Sequence, residues 1–228
     1  MKRVERRSRY ISRILKASVM AAVLGSTALY AQTIDKVWHF DDIPTGSLPA
    51  GWEIDATNPK GDLASWQVVR DKSAPSPSGV LALTSINHND RATFNLCHTD
   101  DLSFLNGDIE VKFKANTGKV DQGGGVIWRV LDAKNYYIAR FNPLEDNFRL
   151  YIVKDGKRGL LSDAKAVLRS GKWHTLKIVQ QGDQYAGYLN GKKYFEGRDS
   201  TFAGSGGVGL WTKADAVTSF DDFSVKMR

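Results

Sequence analysis

Three arginines and two tyrosines recur at alternate positions through residues 123–154, GGGVIWRVLDAKNYYIARFNPLEDNFRLYIVK. Guanidinium forks bond hydroxyls or a carboxylate in pairs, and phenol rings stack on the apolar face of a sugar. The spacing suits three consecutive strands with turns at 132–135 and 143–147, because side chains alternate between the two faces of a strand. Val126, Trp128 and Val130 share one face, and Arg129 points with Ile127 and Leu131 to the other. Tyr137, Ala139 and Phe141 read as core, which leaves Tyr136, Ile138, Arg140 and Asn142 outward; Phe148, Leu150 and Ile152 read as core, which leaves Arg149 and Tyr151 outward. One sheet surface is thus expected to carry Arg129, Tyr136, Arg140, Asn142, Arg149 and Tyr151. Trp211 and Lys213 extend it if Val208 and Leu210 point inward, with Trp211 equally suited to the core. The surface reads either as a carbohydrate-binding floor or as a solvated sheet face; the scarcity of Lys, Glu and Thr speaks for the former.

Carboxylates that could move a proton are Glu110, Asp132 and Glu145. A retaining glycosidase needs two carboxyls about 5–5.5 Å apart across the cleaved bond. Glu145 and Asp146 are adjacent and diverge, while Asp108 and Glu110 share a face whose next member is Lys112. None of His39, His88, His98 and His174 pairs at metal-ligand spacing, and His174 shares parity with Leu176 and Ile178, as a hydrogen-bonded, half-buried histidine would. The triplet Phe-Asp-Asp occurs both in WHFDDIP and in SFDDFSVKMR. If the first and last strands lie side by side, Asp41, Asp42, Asp221 and Asp222 come together, either as oxygen ligands for a structural Ca²⁺ or as two solvated acidic turns.

These residues must be positioned by strands, since no stretch carries a helical stripe of apolar residues. Period-2 alternation recurs at 108–115, 148–153 and 173–179. Asp155-Gly156 and Asn190-Gly191 are hairpin dipeptides suited to positive φ. About 13–15 short strands at turn spacings of about 8–12 residues predict an all-β, two-sheet antiparallel sandwich. Residues 55–79 are irregular, with one strand at 65–70, and Gly123-Gly124-Gly125 runs into a strand as a bulge or close approach would. Cys97 is the only cysteine of the chain and reads as a buried, inert thiol in a strand.

The 228 residues carry a formal charge of +7. Residues 1–31 hold seven of the basic side chains and one acid, leaving 25 basic against 24 acidic residues beyond them. The folded body therefore lacks the basic field expected of a nucleic-acid binder. The first 31 residues have a basic start, the apolar run ASVMAAVLGSTALYA and a small residue at its end. They read as a secretory signal peptide cut after Ala31, with an uncleaved anchor helix as the alternative. Residues 32–228 are then one exported domain, periplasmic or extracellular, with no membrane span once the signal is removed.

The pieces GGGVIWRVLDAKNYYIARFNPLEDNFRLY, SGKWHTLKIVQQGDQYAGYLNGKKYFEG and GGVGLWTKADAVTSFDDFSV resemble the concanavalin A-like (laminin G type) jelly rolls. The Trp-Arg, Asn-Tyr-Tyr and Arg-Phe-Asn run is more closely similar to the domain of secreted bacterial 3-keto-disaccharide hydrolases. The resemblance implies a curved jelly-roll sandwich that takes carbohydrate on its concave sheet. The Glu-x-Asp-x-x-Glu motif of the laminarinase-type branch does not occur, so that activity is not carried over. Three functions remain open: a non-catalytic glycan binder, a hydrolase or lyase of 3-keto-glycosides in the same cleft, and a structural envelope protein.

Overall fold

The chain is described over residues 34–86 and 90–228 of this computed structural model. The expected signal segment and His88 lie outside the described residues. Fifteen strands run through the described part: β1 (Ile34–Trp38), β2 (Glu53–Thr57), β3 (Ser65–Arg70), β4 (Gly79–Ser85), β5 (Phe94–Phe104), β6 (Gly107–Thr117), β7 (Gly124–Asp132) and β8 (Asn135–Asn142). They continue with β9 (Asn147–Lys154), β10 (Lys157–Lys165), β11 (Trp173–Gln181), β12 (Gln184–Leu189), β13 (Lys192–Arg198), β14 (Gly206–Lys213) and β15 (Val217–Met227). One sheet has the order β13-β12-β11-β6-β15-β4-β3, with β1 also on β15; the other has the order β10-β9-β8-β7-β14-β5-β2. The paired neighbours are antiparallel, and the two sheets form the expected jelly-roll sandwich.

Local chemistry explains the hairpins. Asp155 and Gly156 have φ of 51° and 74°, and Asn190 and Gly191 have 48° and 79°. Two successive positive values match the turn whose twist fits a two-residue hairpin. The first and last described strands lie side by side, with Trp38 opposite Phe223 on β1 and β15.

Alternation then builds two apolar layers. Val126, Trp128, Tyr137, Ala139, Phe141, Phe148, Leu150, Val208 and Leu210 fill the interior between the sheets. Cys97 is buried there too, and burial raises its thiol pKa. A second apolar cluster lies on the outward face of the β10-to-β2 sheet: Phe94, Leu96, Ile127, Val130, Tyr136, Ile138, Tyr151, Val153 and Trp211.

Val130 belongs to this outward cluster, not to the interior where simple alternation puts it. On β14, Val208 pairs with Trp128 but Gly207 with Val130, so β7 carries one residue more than β14 there, and its ladder to β8 slips between Trp128 and Asp132 as well. Arg129, at φ 46°, sits in the bulge. An added residue reverses the parity of the strand beyond it.

Candidate functional site

The outward face of the β10-to-β2 sheet gathers most of the side chains expected there. Arg140 pairs across the ladder with Arg149, and Ile138 with Tyr151. Gly125 lies between Arg140 on β8 and Trp211 on β14. A Cβ at Gly125 would collide with the Ala139 carbonyl, which gives the glycine run its expected role of close approach.

One carboxylate oxygen organises the polar end of this face. Glu145 Oε2 accepts from Arg140 Nη2 at 2.8 Å, Asn147 Nδ2 at 3.0 Å and Arg149 Nη1 at 3.3 Å. Arg140 also donates to Asn147 and to the Tyr151 hydroxyl at 3.1 Å. Arg149 grips Asp163 with Nε at 2.8 Å and Nη2 at 3.1 Å. Burial by itself would raise the Glu145 pKa, but the Asn147 and Arg140 hydrogen bonds and the two guanidinium charges override it and bring it to about 2. The Asp163 hydrogen bond holds Arg149 firmly protonated, above the usual arginine pKa. Arg140 is buried, while Arg149 and Glu145 keep side-chain exposures of 29% and 42% and form an open rim. Asp163, Lys165 and Asp146 join them around a depression of about 450 Å³.

Beside this network Lys213 pairs with Asp121 at 2.8 Å, and Asp121 accepts from Asn142 Nδ2 at 2.9 Å. Asn142 also caps the β8–β9 turn by accepting from the Leu144 amide at 2.8 Å. It is buried, so its work is internal.

Three of the expected floor residues are placed differently. Arg129 is not on this face. Its guanidinium is buried and donates to the carbonyls of Leu105 (2.8 Å), Phe202 (2.7 Å) and Gly182 (2.8 Å). Burial lowers its pKa. The β7 bulge turned it toward the sandwich end, where it ties loops together. Tyr136 and Trp211 are on the face but buried, with exposures of 0% and 1%. The Tyr136 hydroxyl meets Thr57 Oγ1 at 2.7 Å and accepts from Trp211 Nε1 at 3.3 Å, and Trp211 packs on Phe94. These rings support the floor from below and are not free for stacking.

Arg158 was missed by sequence reasoning. It lies opposite Val153 on β10, with its guanidinium 4.2 Å from the Tyr151 ring centroid and 5.2 Å from that of Phe94. The signal was present: a two-residue hairpin at Asp155-Gly156 mirrors positions across the turn, so Arg158 falls beside Val153, which has the parity of Tyr151.

The other proton-transfer candidates scatter. Glu110 is on the opposite sheet, beside Lys177 on β11. Asp132 closes the β7–β8 turn, accepting from the Lys134 amide at 2.6 Å and Asn135 Nδ2 at 3.0 Å. It lines a hollow of about 270 Å³ together with His98, Glu53 and Asp100. Nε2 of His98 is inaccessible to solvent and has no hydrogen-bond partner. His174 is hydrogen-bonded as expected, to the Arg169 carbonyl at 2.9 Å and Asn190 Nδ2 at 3.2 Å.

The acidic corner brings together two of its four aspartates. Ser76 Oγ lies 3.0 Å from Asp41 Oδ2 and 3.0 Å from both oxygens of Asp221. Asp222 instead turns to His39 Nδ1 at 2.7 Å, and the side chain of Asp42 makes no hydrogen bond or ion pair with a described residue. No group of three His, Cys, Asp or Glu residues fit to hold a metal occurs among the described residues.

Comparison with known proteins places the fold. The chain superposes on the carbohydrate-binding module CBM66 from Bacillus subtilis with a TM-score of 0.59 at 21% identity, over 77% of this chain and 95% of that one. It superposes on a Bacillus licheniformis β-glucanase with a TM-score of 0.56 at 10% identity, over 87% and 99%. In sequence it is 27% identical to a levanase of Bacillus subtilis (strain 168) over 92 residues, 40% of this chain and 13% of that protein's length. The 3-keto-alpha-glucoside-1,2-lyase-like domain model matches residues 47–226, from the loop before β2 to the last strand, and the chain therefore belongs to that family.

Proposed function

We propose that the protein is an exported, saccharide-binding jelly roll that engages its ligand at the polar end of the outward β10-to-β2 face. The supporting observation is the Arg140–Glu145–Arg149–Asp163 network. Four charged groups on neighbouring strands and a turn hold one another in fixed directions beside Tyr151, with their rim open. Groups already ordered lose little entropy when a ligand arrives, and arginine forks match vicinal hydroxyls. A glycan array, followed by titration of any hit, tests the reading. Arg149→Ala should abolish binding by removing the half-exposed cation that holds Glu145 and Asp163 in place at the rim. Undiminished affinity in that variant would refute the site.

Family membership favours a second reading, elimination from a 3-keto-glycoside. A base would take the proton beside the ketone, the freed electron pair would form a C=C bond as the glycosidic C–O bond breaks, and the proton would pass to the departing aglycone oxygen. Glu145, held at about 2, is too weak a base. Asp132 and His98 line one hollow, where this reading puts the reaction. Incubation with 3-keto-trehalose should then release free sugar, and His98→Gln and Asp132→Asn should suppress the release. Failure of the unmodified protein to release sugar removes this reading.

We further propose that Asp41 and Asp221 hold a structural Ca²⁺. Asp221 accepts from the Ser76 and Asp222 amides and Asp41 from the Gly79 amide, but the Ser76 hydroxyl is the one side-chain donor between the two carboxylates, and neither aspartate pairs with a Lys or Arg side chain among the described residues. The hard oxygen donors fit this cation.

A further inference from the structure

At the polar end of the outward face the ion pairs leave one cation over. Glu145 is shared by Arg140 and Arg149, Asp163 is held by Arg149, and Asp121 by Lys213. Arg158 is the fourth cation beside these three anions, and it makes no hydrogen bond or ion pair with any described residue. Its Nη1 is inaccessible to solvent and lacks an acceptor. Only the Tyr151 and Phe94 rings hold it. Burial disfavours its protonated form and the Arg140 charge adds to that, while Tyr151, Asp121 and Glu145 act the other way; the net effect is a lowered pKa.

One buried guanidinium nitrogen without an acceptor is a costly arrangement, and the half-buried side chain leaves the rest of the fork within reach of an outside group. The aromatic contacts fix its plane but fill none of its donor positions. The nearby carboxylates are engaged elsewhere: Glu145 and Asp163 by Arg140 and Arg149, and Asp121 by Lys213. None of them is left to pair with Arg158, and a group from outside can reach the exposed part of its fork. A sugar hydroxyl would supply a lone pair but leave the extra positive charge uncompensated. A carboxylate supplies both, and it presents two oxygens to the fork.

We infer that this face selects an acidic saccharide, one bearing a uronate, whose carboxylate pairs with Arg158. The inference rests on the saccharide-binding reading of the face and adds its substrate class. The experiment is calorimetric titration of the protein with glucuronic, galacturonic, mannuronic and guluronic acids, each beside its neutral parent sugar, at low salt and at about 0.5 M NaCl, where screening is strong. At least one acid should bind roughly ten- to a hundredfold more tightly than its parent, and high salt should narrow the difference. Arg158→Met keeps the stem over Tyr151 and should abolish the preference while neutral-sugar binding survives. Arg158→Lys should retain part of it. Melting curves establish that both variants are folded. Equal affinity for acid and parent, or a preference that persists in Arg158→Met, overturns the acidic-saccharide inference alone. Absence of binding by every sugar overturns both it and the reading beneath it.

Discussion

Replacing Glu145 by glutamine tests whether one carboxylate fastens the polar end of the outward face. Glutamine keeps the shape and an acceptor oxygen but removes the charge that three donors share. The pKa of Glu145 lies at about 2, against roughly 4.3 for an unperturbed glutamate. For a fully buried group a lowering of that size would correspond to roughly 3 kcal/mol. The side chain keeps 42% exposure, and solvent screening reduces the contribution to about 1 kcal/mol. In a domain of this length that is about 2–4 °C in melting temperature. The pH dependence carries the sharper test. A carboxylate with a depressed folded pKa stabilises fully above its unfolded pKa and loses that contribution as pH falls through the folded value. The gap between the unmodified protein and Glu145→Gln should therefore be complete at neutral pH. It should begin to shrink below roughly pH 4.5, and less than half should remain at about pH 3. Thermal melts followed by circular dichroism at these pH values measure it. Equal melting temperatures at pH 7, or a gap unchanged at pH 3, would refute the clamp.

Two further outcomes are expected from the geometry. Arg129→Met should destabilise the protein by about 2–4 kcal/mol, because three loop carbonyls lose their donor, yet saccharide affinity at the outward face should be unchanged; a parallel loss of binding in a variant still folded would return Arg129 to the site. Dialysis against EDTA should lower the melting temperature, with recovery on adding Ca²⁺, and Asp221→Asn should remove that response. A melting temperature indifferent to EDTA ends the calcium proposal.

Strand alternation alone located Arg140, Arg149, Tyr151 and Lys213 on one surface, because period-2 geometry is a local property of each strand. The same rule, carried across the mirror of the Asp155-Gly156 hairpin, reaches Arg158. It failed at Arg129 and Val130, where β7 carries an unannounced bulge; nothing in the residue types of VIWRVLD marks where the ladder slips. It also overstated Tyr136 and Trp211, since parity says which face a ring takes and not whether its neighbours cover it. The partners of Glu145 were out of reach as well, because a turn carboxylate finds two strands only once all three are folded together.

The β period, the positive-φ hairpins and the face of each regular strand were determined by the sequence alone, all set by interactions within a few residues or by the alternation of apolar groups; the pairing of the first and last strands, conditional in the sequence, was decided by the fold. Tertiary structure alone decided which guanidinium was satisfied. Arg129, Arg140, Arg149 and Arg158 are identical in chemistry, yet Arg129 finds carbonyls 24 to 73 residues away, Arg140 and Arg149 find acceptors within 14 residues, and Arg158 is left with rings. Charge pairing falls off over a few ångströms, and separations of that size belong to the folded molecule.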